Sequence, residues 1–189
     1  MQNTIFALAT GSGISALSVI RISGKECQKV LKTLTLKALP KERVLTLRSF
    51  YFPGKKKLID RCLVAWMPSP RSYTGEDNIE IYSHGGDAVY QCFFKALNSF
   101  SKVRYAEQGE FSKRAIINGK TDLVQAEAIN DLINSQTEKQ RELAISQHNG
   151  GLSIPVNRWR KEIINCMALI AASIDFSDEN DTPDNLNIK

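Results

Sequence analysis

The stretch SYTGEDNIEIYSHGG, residues 72–86, holds the most informative pattern in the sequence. Apolar and polar residues alternate through its second half, which predicts a β-strand with Glu80, Tyr82 and His84 on one face. The glycine pair that follows predicts a turn into a helix. A carboxylate on such a face can reach a ligand, although a solvated strand face is the commoner explanation of the pattern alone. His84 is a candidate general base, but a turn histidine bonded to backbone is the commoner arrangement.

A second strand is predicted upstream, where residues 17–22 are rich in β-branched side chains. Alternation places Arg21 on the same face as Leu17 and Val19. An arginine on an apolar face needs an anion or a carboxylate partner, because an unpaired buried charge is costly. An arginine at the edge of the sheet that reaches solvent is the open alternative.

The rest of the first 118 residues predicts an α+β fold, a mixed β-sheet with flanking helices. Ser23 and Glu26 fit a capping box, which predicts a helix with an apolar stripe directly after the second strand. Further strands are predicted at residues 44–52, 58–67 and 102–106, and helices near residues 89–97 and at 111–118.

The pattern becomes helical from about residue 119, so we place a domain boundary between residues 118 and 122. Asp122 with Gln125 fits a capping box and predicts one long helix that ends near Gln147. Gly150-Gly151 ends it, and a second, antiparallel helix follows. Because the apolar stripe of that helix is long and only one partner helix is available, the pair is expected to belong to a larger bundle.

Lys120 stands beside the predicted N-terminus of this first long helix. Free backbone N–H donors and a lysine together suit an anionic group. The segment is not a P-loop, because the pattern GxxxxGK[ST] occurs nowhere in the chain, and no nucleoside triphosphate site is predicted. The four cysteines are widely spaced, so neither a zinc site nor a disulfide framework is expected.

The formal net charge is +5, and acidic residues concentrate in a tail that begins near Asp175. The preceding part is therefore more basic than the whole, which favours an anionic partner such as RNA or a polyanionic cofactor. No apolar run reaches the length of a membrane span, and the N-terminus lacks the pattern of a signal peptide. A cytoplasmic location without membrane association is expected.

Several short blocks, taken together and in order, resemble the successive signature motifs of the MnmE (TrmE) family of tRNA-modification GTPases. They are RISG (21–24), YTGED (73–77), HGG (84–86), GEFSKRA (109–115), NGKTDL (118–123), QAEAI (125–129) and IDF (174–176). These blocks extend over nearly the whole chain, so their joint occurrence is far more specific than any one of them.

The resemblance implies a protein of three parts. Residues 1–118 would be its folate-binding and dimerisation domain, similar to the folate domain of the glycine-cleavage T-protein. Residues 119–189 would be the first part of a helical domain, and a Ras-like GTPase domain would be absent from this chain. We therefore expect the 189 residues to be a piece of a longer enzyme, a hydrolase acting on GTP. GTP, Mg²⁺ and K⁺ would be used only by the absent domain, so this chain alone should lack GTPase activity.

The resemblance also implies the reaction and its partners. Family members modify the wobble uridine of tRNA at carbon 5, adding an aminomethyl-type group, together with the flavoprotein MnmG (GidA). The one-carbon unit comes from a tetrahydrofolate derivative, either 5-formyl- or 5,10-methylene-tetrahydrofolate. A homodimer in the cytoplasm is expected.

Three residues match family positions that contact the folate: Arg21, Glu80 and Lys120. Glu80 would accept hydrogen bonds from the N–H edge of the pterin ring, while Arg21 and Lys120 would meet the carboxylates of the glutamyl tail. No catalytic residue and no metal ligand are expected in this chain.

The chain departs from the family at residues 11–15, GSGIS, where members usually have a loop containing proline and arginine. Two other functions remain open at this point. One is a stand-alone basic RNA-binding module, although the sequence lacks interleaved aromatic residues. The other is a folate-dependent protein of the aminomethyltransferase-like group without a GTPase domain.

Overall fold

The computed structural model describes residues 3–11 and 13–175. These ranges contain six strands and six helices. In chain order they are β1 (Thr4–Leu8), β2 (Ser15–Ser23), α1 (Cys27–Thr35), β3 (Thr46–Tyr51), β4 (Leu58–Met67), β5 (Asn78–Gly85), α2 (Asp87–Asn98), β6 (Val103–Tyr105), α3 (Glu110–Ile117), α4 (Leu123–Asn134), α5 (Glu138–His148) and α6 (Ser153–Asp175).

The strands form one sheet in the order β3-β4-β5-β2-β1-β6. Neighbouring strands run antiparallel, except β1 and β6, which are parallel. The β2–β5 pair lies in the middle of the sheet and aligns Leu17 with His84 and Ser23 with Asn78. The α+β fold with a mixed sheet and flanking helices, predicted from the sequence, is confirmed.

The hydrophobic core lies between one face of this sheet and the helices α1 and α2. Alternation puts Ile20 and Ile22 of β2 beside Ile79 and Ile81 of β5, and all four are fully buried. The predicted apolar stripe of α1 also faces this core. Its buried residues are Cys27, Val30, Leu31, Leu34 and Thr35.

The opposite sheet surface carries Arg21, Glu80 and Tyr82, and we call it the open face. At its β1–β6 end it is covered by α3, whose Glu110 pairs with Arg104 of β6. Helix α3 is also tied to the start of β1, because its Arg114 donates to the carbonyl of Asn3. Across the remaining strands most of the alternate residues are half-buried or exposed, whereas Ser23, Ala65 and Asn78 are buried.

The capping box predicted at Ser23 and Glu26 is wrong. Ser23 is the last residue of β2, and its hydroxyl pairs with the Thr74 hydroxyl and donates to the Glu76 carboxylate. Glu26 itself occupies the N-cap position of α1, without any side-chain cap. The tertiary partners of Ser23 displace the local interaction that the sequence pattern suggests.

Residues 121–189 form a second compact unit, whose described part is helical. The capping box predicted at its start is confirmed. The Asp122 carboxylate accepts from the Gln125 backbone N–H, and the Gln125 side chain accepts from the Asp122 N–H. The cysteines at positions 27, 62, 92 and 166 are free thiols.

The single long helix predicted to end near Gln147 is wrong, because the chain breaks between α4 and α5. Thr137 caps α5 by accepting from the Gln140 backbone N–H, and the Gln140 side chain accepts in return. This second capping box supplies acceptors for backbone N–H groups that have no intrahelical partner at the new helix start, which makes the break favourable. The second unit therefore has three described helices where two were predicted.

The glycine break predicted before α6 is confirmed, and the apolar stripe of α6 has no buried residue. Its large exposed side chains are Ile154, Val156, Trp159, Ile163, Ile164, Met167, Leu169, Ile170 and Ile174. The acidic tail is mostly residues 176–189, which lie outside the described ranges. Within those ranges no helix combines the length and the apolarity needed to cross a bilayer.

Gly24 allows the turn between β2 and α1 to pass very close to β1. Its φ is +133°, and a Cβ at this position would lie 2.6 Å from the Thr4 hydroxyl oxygen and 2.8 Å from the Thr4 Cα. The Gly24 N–H also donates to the Asp77 carbonyl. Only glycine meets both the backbone conformation and the close approach.

We expect Gly24→Ala to lower the free energy of unfolding of the first unit by about 2–4 kcal/mol, because strain and a backbone clash combine. Urea unfolding followed through the buried Trp66 measures this. Gly54→Ala is the matched control, since Gly54 has φ +70° with nothing within 4 Å of a Cβ. It should cost only about 1 kcal/mol, the cost of a left-handed residue. Equal losses in the two variants would contradict the role of the close approach.

Candidate functional site

Arg21 and Glu80 are direct cross-strand partners on the open face. The Arg21 Nη2 atom lies 2.8 Å from Glu80 Oε1, and Arg21 Nε donates to the same oxygen at 2.9 Å. The side chains are 28% and 16% exposed, respectively. The sequence left open whether Arg21 has an anionic partner or reaches solvent at the edge of the sheet; in the structure its partner is the carboxylate of Glu80, 59 residues further along the chain.

The second oxygen of Glu80 is engaged as well. Tyr82 donates its phenol hydrogen to Glu80 Oε2 at 2.8 Å. Burial raises the pKa of the Tyr82 phenol, and the adjacent carboxylate of Glu80 raises that pKa further, so Tyr82 stays a neutral donor. A carboxylate offers about four lone-pair directions, and the two neighbours occupy about three of them.

Two aromatic rings stand over the guanidinium group of Arg21. Its Cζ atom lies 5.0 Å from the centroid of the Tyr73 ring and 5.8 Å from that of Phe111. The Tyr73 hydroxyl pairs with the Ser112 hydroxyl at 3.1 Å, which ties the loop before β5 to α3. Tyr73 and Phe111 belong to motifs quoted above, but sequence reasoning gave them no role. The feature that could have identified them is the presence of one aromatic residue in each of these two motifs.

A buried ion network holds these elements in place. The Arg114 side chain is 3% exposed; it donates to Glu76 Oε2 and to Glu110 Oε1, both at 2.9 Å. Glu110 also accepts from Arg104 at 2.7 and 2.8 Å. The hydrogen bonds from Arg104 are the largest influence on Glu110 and lower the pKa of its carboxyl to about 2, against the opposing effect of burial.

Lys120 lies beside Gly75 of the loop that also carries Tyr73. A Cβ on Gly75 would meet the Lys120 Cγ and Cδ atoms at 3.2 and 3.3 Å. No hydrogen bond or ion pair joins Lys120 to Arg21 or Glu80 among the described residues. Tyr73 and Gly75 are two residues apart, at most about 7 Å between Cα atoms, so a long ligand beside Tyr73 can also reach the neighbourhood of Lys120.

A concavity of about 420 Å³ opens beside this loop at Gly75. Its lining residues are Lys25, Ser69, Gly75, Glu76, Asp77 and Asn118. The N-terminus of α4, close to Lys120 in the sequence, has fewer free N–H donors for an anion than the sequence predicted. The Asp122 carboxylate already accepts from the Gln125 N–H there. The hydrogen bond from the backbone N–H of Gln125 is the largest influence on Asp122 and lowers its pKa, which favours its charged, capping form.

The structure thus joins Arg21 and Glu80, places two aromatic rings beside the Arg21 guanidinium, and leaves Lys120 beside Gly75 without a direct bond to the pair among the described residues. In the described ranges no three histidine, cysteine or acidic side chains are grouped as metal ligands are.

Comparison with known proteins matches two family models to the chain. Residues 4–120 match the model described as GTP-binding protein TrmE N-terminus, and residues 123–189 match the MnmE helical domain. These two matches together extend over most of the chain and divide it near the point where the pattern of the sequence changes.

Individual relatives are similar over nearly the whole chain. A tRNA modification GTPase MnmE from Rhodopseudomonas palustris (strain HaA2) is 48% identical over 95% of the chain, and one from Pelagibacter ubique is 43% identical over 98%. The mitochondrial tRNA modification GTPase mss1 of Schizosaccharomyces pombe is 42% identical over 98%. The aligned part is 39%, 42% and 38% of these relatives, so the chain spans about two fifths of their length.

We expect Glu110→Gln to lower the free energy of unfolding of the first unit by about 3 kcal/mol at neutral pH, because it removes one partner of a buried pair. The pKa of Glu110 is about 2 in the folded chain, against an ordinary value of 4.5. A carboxyl with a lowered pKa contributes stability that is present above its unfolded pKa and is lost as pH falls through its folded pKa.

The difference between wild type and Glu110→Gln should therefore shrink as the pH falls from 4.5 to about 2. Urea titrations at a series of pH values, followed through Trp66 fluorescence, measure it. Glu42→Gln is the control, because Glu42 is exposed and pairs only with its neighbour Arg43. It should unfold like wild type at every pH. A Glu110 difference that stays constant in acid would contradict the ion network.

Proposed function

Because this chain belongs to the family of the tRNA modification GTPase MnmE, we propose that it is the folate-binding, dimer-forming N-terminal region of such a GTPase. Residues 1–118 act as the folate-binding and dimerisation domain, and residues 119–189 begin the helical domain. With MnmG (GidA), the longer protein modifies the wobble uridine of tRNA at carbon 5 in the cytoplasm. GTP hydrolysis, with its Mg²⁺ and K⁺, belongs to a domain outside these residues.

The observation that carries the folate proposal is the Arg21–Glu80 pair beneath Tyr73 and Phe111. A pterin ring presents a planar edge of N–H donors, and the partly exposed Glu80 carboxylate can accept them in charge-assisted bonds. The aromatic rings offer apolar surface to a flat heterocycle. The ligand is a tetrahydrofolate derivative, 5-formyl- or 5,10-methylene-tetrahydrofolate.

Binding requires an exchange of hydrogen bonds at Glu80. A pterin donates two N–H groups, whereas Arg21 and Tyr82 leave the carboxylate about one free lone-pair direction. We infer that one of these neighbours yields when the ligand arrives. If Arg21 gives up its hydrogen bonds to Glu80, it can pair with a carboxylate of the glutamyl tail, and Lys120 can pair with one as well.

The dimer proposal rests on a row of apolar side chains across the open face. Leu47, Leu63, Tyr82 and Val19 are successive cross-strand partners in β3, β4, β5 and β2. Leu47 is 48% exposed and Leu63 is 40% exposed. Adjacent exposed apolar side chains on a sheet face are typical of an interaction surface. A second copy of the chain that covers this row would bury it.

This row lies directly beside the folate site. Ala65, Glu80, Arg21 and Ala7 form the next cross-strand row of the same face. A partner copy seated on the apolar row would therefore also border the bound folate, which supports a site that depends on the dimer.

We expect Glu80→Ala to weaken binding of 5-formyltetrahydrofolate about 10- to 150-fold, which corresponds to about 1.5–3 kcal/mol for a hydrogen bond to a charged group. Isothermal titration calorimetry with the 189-residue chain measures this. Tyr82→Phe is the matched control, because it removes the competing donor and keeps the carboxylate. Its affinity should equal or exceed that of wild type. Unchanged affinity in Glu80→Ala, with an intact circular dichroism spectrum, would remove Glu80 from the site.

We expect Leu63→Asp to turn a dimeric chain into a monomer, because a carboxylate in the middle of the apolar row would lose its water on association. Light scattering coupled to size-exclusion chromatography measures the mass. Leu58→Asp is the control, since Leu58 is an exposed leucine at the start of the same strand but outside the row. A wild-type chain that stays monomeric at high concentration, or a dimeric Leu63→Asp, would refute this surface.

A further inference from the structure

Asp60 and His84 form a carboxylate–imidazole pair at the end of β5. The His84 Nδ1 atom lies 2.9 Å from Asp60 Oδ1 and 3.1 Å from Oδ2, and the His84 backbone N–H donates to Oδ2 at 3.0 Å. The Asp60 side chain is 10% exposed and that of His84 is 69% exposed. The carboxylate is therefore enclosed by the protein, while the far side of the imidazole ring faces solvent.

This contact determines where the imidazole carries its proton. An ionised carboxylate only accepts hydrogen bonds, so the neutral ring must place its hydrogen on Nδ1. The exposed Nε2 atom then carries a free lone pair, as it does in histidines that a carboxylate orients for proton transfer. A ring bonded to backbone, the commoner arrangement expected from the sequence, is not what the structure has.

The exposed side of the His84 ring lies on the same sheet face as the Arg21–Glu80 pair. His84 lies on the open face, two residues beyond Tyr82 and four beyond Glu80, or about 7 and about 13 Å along the strand. Its cross-strand partner Leu17 is exposed, as is Ile14 nearby in sequence. The end of β2 lies tightly against β5 here, because a Cβ on Gly85 would fall 2.3 Å from the Ser15 carbonyl oxygen.

We propose that Asp60 and His84 form a general-base site for the amine that accepts the folate-borne one-carbon unit. The proposal rests on the proposed function, since it assigns the base to the same open face as the folate. An ammonium ion has no lone pair with which to attack carbon. His84 Nε2 takes a proton from that ammonium, which leaves a neutral amine and an imidazolium ion paired with Asp60. No oxidant or reductant is consumed, and the amine is the one co-reactant.

Nuclear magnetic resonance of the ¹⁵N-labelled chain tests the orientation of the ring. The chain has two histidines, and the ring of His148 pairs with the backbone carbonyl of Gln125 rather than with a carboxylate, so it serves as an internal control. We expect neutral His84 to carry its hydrogen on Nδ1, and Asp60→Asn to abolish that preference without changing His148. A neutral His84 with its hydrogen on Nε2 would overturn the proposal.

The reaction itself tests the role of the base. In the full-length protein with MnmG and tRNA, His84→Ala should slow modification about 100-fold or more, the range for loss of a general base. Added imidazole should restore part of the rate, because the exposed position leaves room for it; His148→Ala should react like wild type. Asp60→Asn should slow the reaction less than His84→Ala, as expected for a positioning residue.

Folate affinity separates this proposal from the one it rests on. In calorimetry, His84→Ala should bind 5-formyltetrahydrofolate like wild type. If the wild-type chain itself binds no folate, the folate site is refuted. An unchanged rate in His84→Ala, or a lost rate that imidazole does not restore although folate still binds, would overturn the general-base site alone.

Discussion

The pairing of β2 with β5 is the constraint on which the first unit depends. Its register gives the two strands one face of isoleucines for the core and another with Arg21 opposite Glu80. A slip of one residue would move every isoleucine into water and every charge into the core. The same register therefore determines both the stability of the sheet and the position of the candidate site. The flanking strands β4 and β1 continue the same sheet on either side of this pair.

The buried guanidinium of Arg114 adds a second constraint. A charge that is almost wholly removed from water must be matched, and Arg114 is matched by two carboxylates and a backbone carbonyl from separate parts of the chain. These partners belong to α3, to the loop before β5 and to the residue before β1. The network therefore holds these three segments together. The rings of Tyr73 and Phe111 are carried by two of those elements, so the network positions the aromatic side of the site.

Local patterns were sufficient to predict the strand faces and the need of Arg21 for a carboxylate, because alternation depends only on neighbouring residues. They could not identify the partner, since Glu80 lies 59 residues away. Ser23 misleads for the same reason: its capping-box pattern spans four residues, whereas its actual partner Thr74 is 51 residues distant. The break before Thr137 could have been read from its own capping box, but the apolar pattern across it favours one continuous helix.

The parallel β1–β6 pair has a consequence for synthesis of the chain. Thr4 aligns with Val103, so the outer edge of β1 has no strand to pair with until nearly all of the first unit has left the ribosome. During that interval β1 and β2 can already form a hairpin whose free edge is open to other chains. We therefore expect the unpaired edge of β1 to be prone to association with other chains until β6 has been synthesised.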